Sequence, residues 1–194
     1  MENEELQVKY VEMYDVLKGI ILTSQQRVID EVPDELFINN INFFVKAYLI
    51  NICTYLESFL QEIALQYGSK LNQKIALADI PHNYVHWRLS TKKYKDGDYS
   101  FSSLNLPVES KDISSELSAN TYKTIEFFKK LGIDLTSNGD FQQNKGVVNS
   151  VVTKRNKIIH HNDNALDVTF PDLLAHIDIF VVYMKAINFT VSNN

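Results

Sequence analysis

Cysteine is all but missing from this sequence: Cys53 stands alone and cannot close an internal disulfide. It falls among apolar residues at helical spacing, so a buried, inert thiol in a reducing compartment is expected. Glycine and proline are scarce, 6 and 4 in 194 residues, which confines long irregular structure to the places where they cluster. No glycine-rich phosphate loop, His-Glu-x-x-His, cysteine pair or spaced carboxylate cluster occurs, so the sequence offers no ready ligand set for Zn2+ or Mg2+. His160-His161-Asn162-Asp163 comes nearest, and neighbouring positions on a helix point apart. Neither a metal nor a cofactor is expected. Helix-turn-helix and zinc-finger patterns are also missing, which argues against sequence-specific reading of DNA. The most apolar run is interrupted by Lys46, Asn51 and Glu57, so no membrane span is expected. The opening Met-Glu-Asn-Glu-Glu is too acidic for a secretory leader, and a cytoplasmic chain is the expectation.

What the chain does contain suits one domain, residues 1–194, with a sizeable core: 45% of residues are hydrophobic and 11% aromatic. Its net charge of −5 is unevenly spread. Two stretches contain no Asp or Glu. Phe141 to His161 carries Lys145, Lys154, Arg155 and Lys157; Ile80 to Lys95 carries Arg88, Lys92, Lys93 and Lys95. An acidic body with one or two anion-binding patches fits this segregation. In the second stretch Tyr84, Trp87 and Tyr94 interleave with the cations, a composition that stacks unpaired bases; burial of Trp87 in the core is the competing reading.

The chain is organised around Gly146 to Asn162. Val147, Val148, Val151, Val152, Ile158 and Ile159 recur at spacings of three, four and seven, which predicts a helix with one apolar side. On it lies Arg155-Asn156-Lys157-Ile158-Ile159-His160. Asn156 and His160, four apart, share a face, while Arg155 and His160 are about 140° apart around the axis. Neither Arg155 nor His160 falls on the apolar face, so replacing either is expected to leave the fold intact. With no neighbouring carboxylate in the sequence, a phosphodiester suits this cluster of guanidinium, amide, imidazole and ammonium groups.

An Arg, four residues and a His on a late helix, followed by a short polar loop and a final helix, resembles the HEPN superfamily. The apolar segment Tyr48 to Leu60 with Glu57 inside it, and Leu117 to Gly132, resemble the same pattern, and together the likeness covers roughly residues 40 to 190. Here His161-Asn162 follows the motif where many toxin-type members have a small residue or His-x-Tyr.

The resemblance implies an all-α, up-and-down bundle of four to five main helices. It also implies a metal-independent endoribonuclease of a toxin–antitoxin, abortive-infection or related defence system. RNA would be cut through its 2′-OH, leaving a 2′,3′-cyclic phosphate. Arg155 and His160 would be catalytic, Asn156 would hold the phosphate or the imidazole, and Lys154, Lys157 and His161 would add field. Glu57 would orient Arg155 or His160, or else point outward or pair with any nearby cation. Lys145 and the cations of 80–95 would hold RNA. Such nucleases are generally homodimers whose two motifs share one cleft, and a cognate antitoxin or other defence-system protein is a further expected partner. The alternative is a non-catalytic HEPN module that binds RNA, a nucleotide or a partner protein.

Along the chain, residues 1–32 predict a long amphipathic first helix, ended at Val32-Pro33-Asp34, with a face free to pack on a partner. A second helix runs from Asn40 to about Gly68 and should sit at the centre. An irregular insertion, 69–111, follows, with short helices at Ile75–Ile80 and Tyr84–Leu89 and a short strand or ordered loop at Tyr99–Leu106. The third helix is expected from Asp112 or Ser114 to Leu131. The motif helix occupies 141–162, with Asn162 suited to a left-handed cap. The last helix, 170–191, opens on a Thr169/Asp172 capping box with Pro171 in its first turn, and its His176 reads as a structural histidine.

Overall fold

Apolar residues at every third or fourth position make helix the dominant structure. The computed structural model describes residues 2–92, 95 and 97–194. Among them are eight α-helices: α1 (Glu2–Ile29), α2 (Glu35–Asn39), α3 (Ile41–Leu77), α4 (His82–Leu89), α5 (Ser110–Glu116), α6 (Thr121–Lys130), α7 (Gly139–His161) and α8 (Phe170–Ser192). No strand forms among the described residues; the expected Tyr99–Leu106 segment is a loop pinned by one bridge, Pro81 to Ser103. Lys93 and Tyr94 lie outside the described residues.

The four long helices pack on one another: α8 lies against α7, α1 and α3, and α3 also contacts α1 and α7. Ile52, Cys53, Leu56, Phe59, Leu60 and Ile63 of α3 are fully buried, as are Ile177, Phe180, Tyr183, Met184 and Ile187 of α8. Each such aliphatic or phenyl side chain contributes about 1.5–3 kcal/mol through burial, and a Phe180→Ala cavity would cost about 3–5 kcal/mol. Both helices are long and apolar enough, by length and composition alone, to cross a membrane; here about half of that apolar segment is buried inside the bundle.

The first helix packs within its own domain. Leu6, Tyr10, Tyr14, Leu17 and Ile21 are buried, and Tyr14 donates its hydroxyl proton to the Ile52 carbonyl at 2.8 Å. Val8, Val16, Ile20 and Leu22 remain exposed on its outer side.

Gly68 does not end the second helix. A Cβ there would stand 3.1 Å from Val108 Cγ2, so the residue is small because the Pro107–Val108 loop crosses it. The helix continues to Leu77 and stops where Asp79 turns left-handed, two residues before Pro81. The insertion therefore begins about ten residues later than its composition suggests. The third helix is two: α5 ends as Leu117 extends, and α6 restarts under Asn120, whose Oδ1 accepts from the Tyr122 and Lys123 amides. Asn138 caps α7 by accepting from the Phe141 amide, so this helix starts at Gly139. Asn162 ends it at φ 50°, and Thr169 and Asp172 form the capping box of α8.

Candidate active site

Helix α7 carries the motif, and its register decides what each motif residue meets. Val148, Val151, Val152 and Ile158 are buried. Arg155 lies seven after Val148, four after Val151 and three before Ile158, so it projects from the edge of the core-facing side. Its side chain is only 16% exposed. The expectation that both motif residues stand off the buried face therefore holds for His160, which is exposed, and fails for Arg155.

The Arg155 guanidinium meets α3. Its Nη2 donates to Glu57 Oε2 at 2.7 Å, and its Nη1 donates to Asn156 Oδ1 at 3.2 Å. Nε is buried with no acceptor. Cys53, one turn before Glu57, lies against the same guanidinium; burial pushes its thiol up to about 12, with Arg155 pulling the other way. Of the two roles open to Glu57, the geometry matches orientation of Arg155. Asn156 also serves the arginine in this state, leaving its NH2 for a further acceptor.

The other cations are arranged differently. Lys154 is held by Asp167 at 2.8 Å and Asp163 at 3.4 Å, which raises its pKa, the Asp167 hydrogen bond being the largest cause. The motif, free of carboxylates along the sequence, is thus partly compensated in the fold. Glu57 arrives from α3 and the two aspartates from the loop after α7, beyond the acid-free window. Lys157, His160 and His161 are exposed at the C-terminal end of α7. Unexpected in the sequence, Lys46 of α3 reaches this end, its Nζ 3.1 Å from Asn162 Oδ1 and 3.4 Å from the Asn162 carbonyl. Asn42 Oδ1, one turn earlier, accepts from the Ala165 amide at 2.8 Å and fixes the loop. The spacing Asn42, Lys46, Cys53, Glu57 along α3 was the available signal: four, seven and four residues place all of them on one side of a helix.

Lys145 sits on α7 roughly 15 Å from Arg155 along the axis, outside the cluster. Arg88, Lys92 and Lys95 are exposed on the insertion, carried by α4 and the loop after it. Among the described residues no three His, Cys, Asp or Glu side chains assemble into a set that could hold a metal ion. A cavity of about 760 Å³ lies elsewhere, between Asn3, Lys70, Asn138 and Asn188 at the other end of α7.

The motif helix thus carries a fixed, partly compensated guanidinium, with two imidazoles and the Lys157 ammonium exposed toward its C-terminal end, where Lys46 also reaches. Guanidinium and ammonium groups are binders of oxyanions, and imidazole is the side chain suited to proton transfer near neutrality.

No curated protein and no solved structure shows significant similarity to the chain. A family model described as RiboL-PSP-HEPN matches residues 20–193, taking in every element from the last third of α1 to the end of α8. The chain belongs to the RiboL-PSP-HEPN family of the HEPN superfamily.

Proposed function

We propose that the protein is a metal-independent endoribonuclease that cuts RNA through the ribose 2′-OH. One observation carries this reading: on the motif helix of a HEPN chain, Arg155 is locked in place by Glu57 while His160, four residues beyond Asn156, stays open to solvent. A fixed cation and an accessible imidazole are what a charge-stabilising group and a general acid–base require.

In the proposed reaction an imidazole takes the 2′-OH proton as the 2′-oxygen attacks phosphorus. The bond from phosphorus to the 5′-oxygen breaks, and that oxygen takes a proton from a second acid. The products are a 2′,3′-cyclic phosphate and a 5′-OH. Arg155 faces the charge that builds on the phosphate oxygens, with Lys157, Lys46 and His161 adding field. One chain presents a single motif, so we infer a two-fold dimer in which His160 of each protomer faces one cleft. The exposed apolar residues Phe43, Ile159 and Leu166, on the elements that carry the site, suit such a contact. A toxin or defence role in the cytoplasm, restrained by a partner protein, is consistent with an activity directed at cellular RNA.

The carboxylates on Arg155 and Lys154 favour a second reading, a module that binds RNA without cutting it, because they weaken the field at the motif. Incubation of purified protein with total cellular RNA and EDTA, beside His160→Ala, separates the two. Cleavage that disappears in the variant supports the enzyme. Binding without products supports the module. Neither cleavage nor binding would overturn both.

A further inference from the structure

The insertion presents aromatic rings to solvent, and Trp87, for which the core was the competing reading, is among them. Trp87 is 67% exposed and Phe101 96%; Tyr84 and Tyr99 are also exposed. They are held together. His82 N donates to the Ser102 carbonyl at 3.1 Å, Leu104 N to the Ile80 carbonyl at 2.7 Å, and Ser100 N to Asn83 Oδ1 at 2.9 Å. These bonds pin the 100–104 loop along the start of α4, from which Tyr84 and Trp87 project with ring centroids 6.1 Å apart. Grouped exposed rings on a small domain mark a contact surface.

Charge tells what it contacts. Arg88 lies 5.3 Å over the Trp87 ring and is itself exposed, as are Lys92 and Lys95. Residues 80–95 contain no acid. Among the described flanking carboxylates, Asp79 accepts from Ser103 Oγ, and Asp98 accepts from the Lys95 amide at 2.9 Å. Solvent-facing rings interleaved with cations, on a chain whose net charge is −5, match a polyanion that carries flat apolar groups. Unpaired RNA has both features; a duplex hides its bases.

We propose that α4 and the 100–104 loop form a platform on which unpaired bases stack, with Trp87 as the central ring and Arg88, Lys92 and Lys95 holding the phosphates. The proposal rests on the RNA-directed reading and deepens it: the substrate class is single-stranded RNA. From Glu57, which holds Arg155, α3 continues 20 residues to Leu77, roughly 30 Å at 1.5 Å per residue. The platform is therefore a second contact remote from the motif of its own chain. Stacked bases rise about 3.4 Å each, so roughly nine nucleotides cover that length.

The test needs no cleavage. Trp87 is the only tryptophan, so its fluorescence reports on the platform directly. Full-length His160→Ala protein is titrated with a single-stranded RNA of about 20 nucleotides and, in parallel, with the same sequence as a blunt duplex. The single strand should quench Trp87 and the duplex should quench it far less. By anisotropy of a labelled single strand, Trp87→Ala in that background should weaken binding about 5- to 150-fold, the range for losing one stacked base. Trp87→Phe should recover most of the affinity, and both variants should keep the parent's circular dichroism, because Trp87 is not in the core. Unchanged fluorescence with the single strand, equal quenching by both RNAs, or equal affinity of Trp87→Ala overturns the platform. So does a fall in oligomeric state on Trp87→Ala, which assigns the patch to a second copy of the chain. The catalytic reading fails separately: wild type that cuts RNA with Trp87 silent loses only the platform, and quenching with no cleavage loses only the enzyme.

Discussion

Glu57 Oε2 and Arg155 Nη2 stand 2.7 Å apart, joining residues 98 positions apart in the chain. The contact couples the motif helix to the central helix at a point where both side chains are largely withdrawn from water, 16% exposed for Arg155 and 29% for Glu57. Removing one partner leaves the other charge poorly solvated, with a loss of about 1–3 kcal/mol.

A double-mutant cycle measures this pair. Glu57→Ala and Arg155→Ala should each lower the urea midpoint, and the double variant should be less unstable than the two losses added, with a coupling of about 0.5–3 kcal/mol. Glu57→Gln keeps an acceptor for Arg155 and should lose less than Glu57→Ala. Strict additivity would mean the pair contributes nothing in solution. His160→Ala should leave the midpoint within about 0.5 kcal/mol of wild type, as exposed substitutions do.

Much of this was legible in the sequence, and the failures have identifiable causes. Thr169 and Asp172 announced the capping box of α8, and Asn162 the left-handed end of α7, because capping depends on residues within a few positions of each other. Gly68 misled because glycine stops a helix or makes room for a neighbour, and only the position of Val108 distinguishes the two. Glu57 was legible as a carboxylate that would orient Arg155, whereas the partners of Lys154 were not, because the acid-free window ends before Asp163 and Asp167 and only the fold turns that loop back onto α7. Trp87 was ambiguous locally: its ring suits a core, and its place on a short helix outside the main bundle leaves it in water.

Cys53 yields a second prediction. Burial raises its thiol to about 12, so at pH 8 the thiolate fraction is on the order of 10⁻⁴. A water-soluble thiol reagent should leave the native protein unlabelled and should label it stoichiometrically in urea. Arg155→Ala removes the side chain that packs over Cys53, and labelling under native conditions should accelerate. Rapid labelling of native wild type would contradict the packing of α3 against α7.

His176 supplies a dependence on pH. Its pKa is lowered, first by burial, with Asp172 opposing. A histidine whose folded pKa lies below its unfolded value, about 6.5, favours the folded state while neutral. Its contribution is complete above that pH and declines as the pH falls toward the folded pKa. Stability measured by urea titration should therefore decrease between pH 7 and 5 more steeply in wild type than in His176→Gln. Equal slopes would show that His176 is as well solvated folded as unfolded.

The proposed chemistry makes the sharpest demand on the substrate. The proposed nucleophile is the substrate's own 2′-OH, deprotonated by His160. A single 2′-deoxy or 2′-O-methyl nucleotide on the 5′ side of the cut should abolish cleavage there, while neighbouring sites remain active. Affinity should change little, since Arg155, Lys157 and Lys46 address phosphate rather than that hydroxyl. Products from unmodified RNA should carry a 2′,3′-cyclic phosphate and a 5′-OH, formed equally well with chelator. Arg155→Ala and His160→Ala should each slow the reaction by roughly 10²- to 10⁴-fold. Glu57→Gln should reduce kcat with little change in KM, because it alters how firmly Arg155 is held and not what touches the RNA. Cleavage of the 2′-deoxy substrate, or a strict need for Mg2+, would replace the 2′-OH mechanism with one in which water attacks.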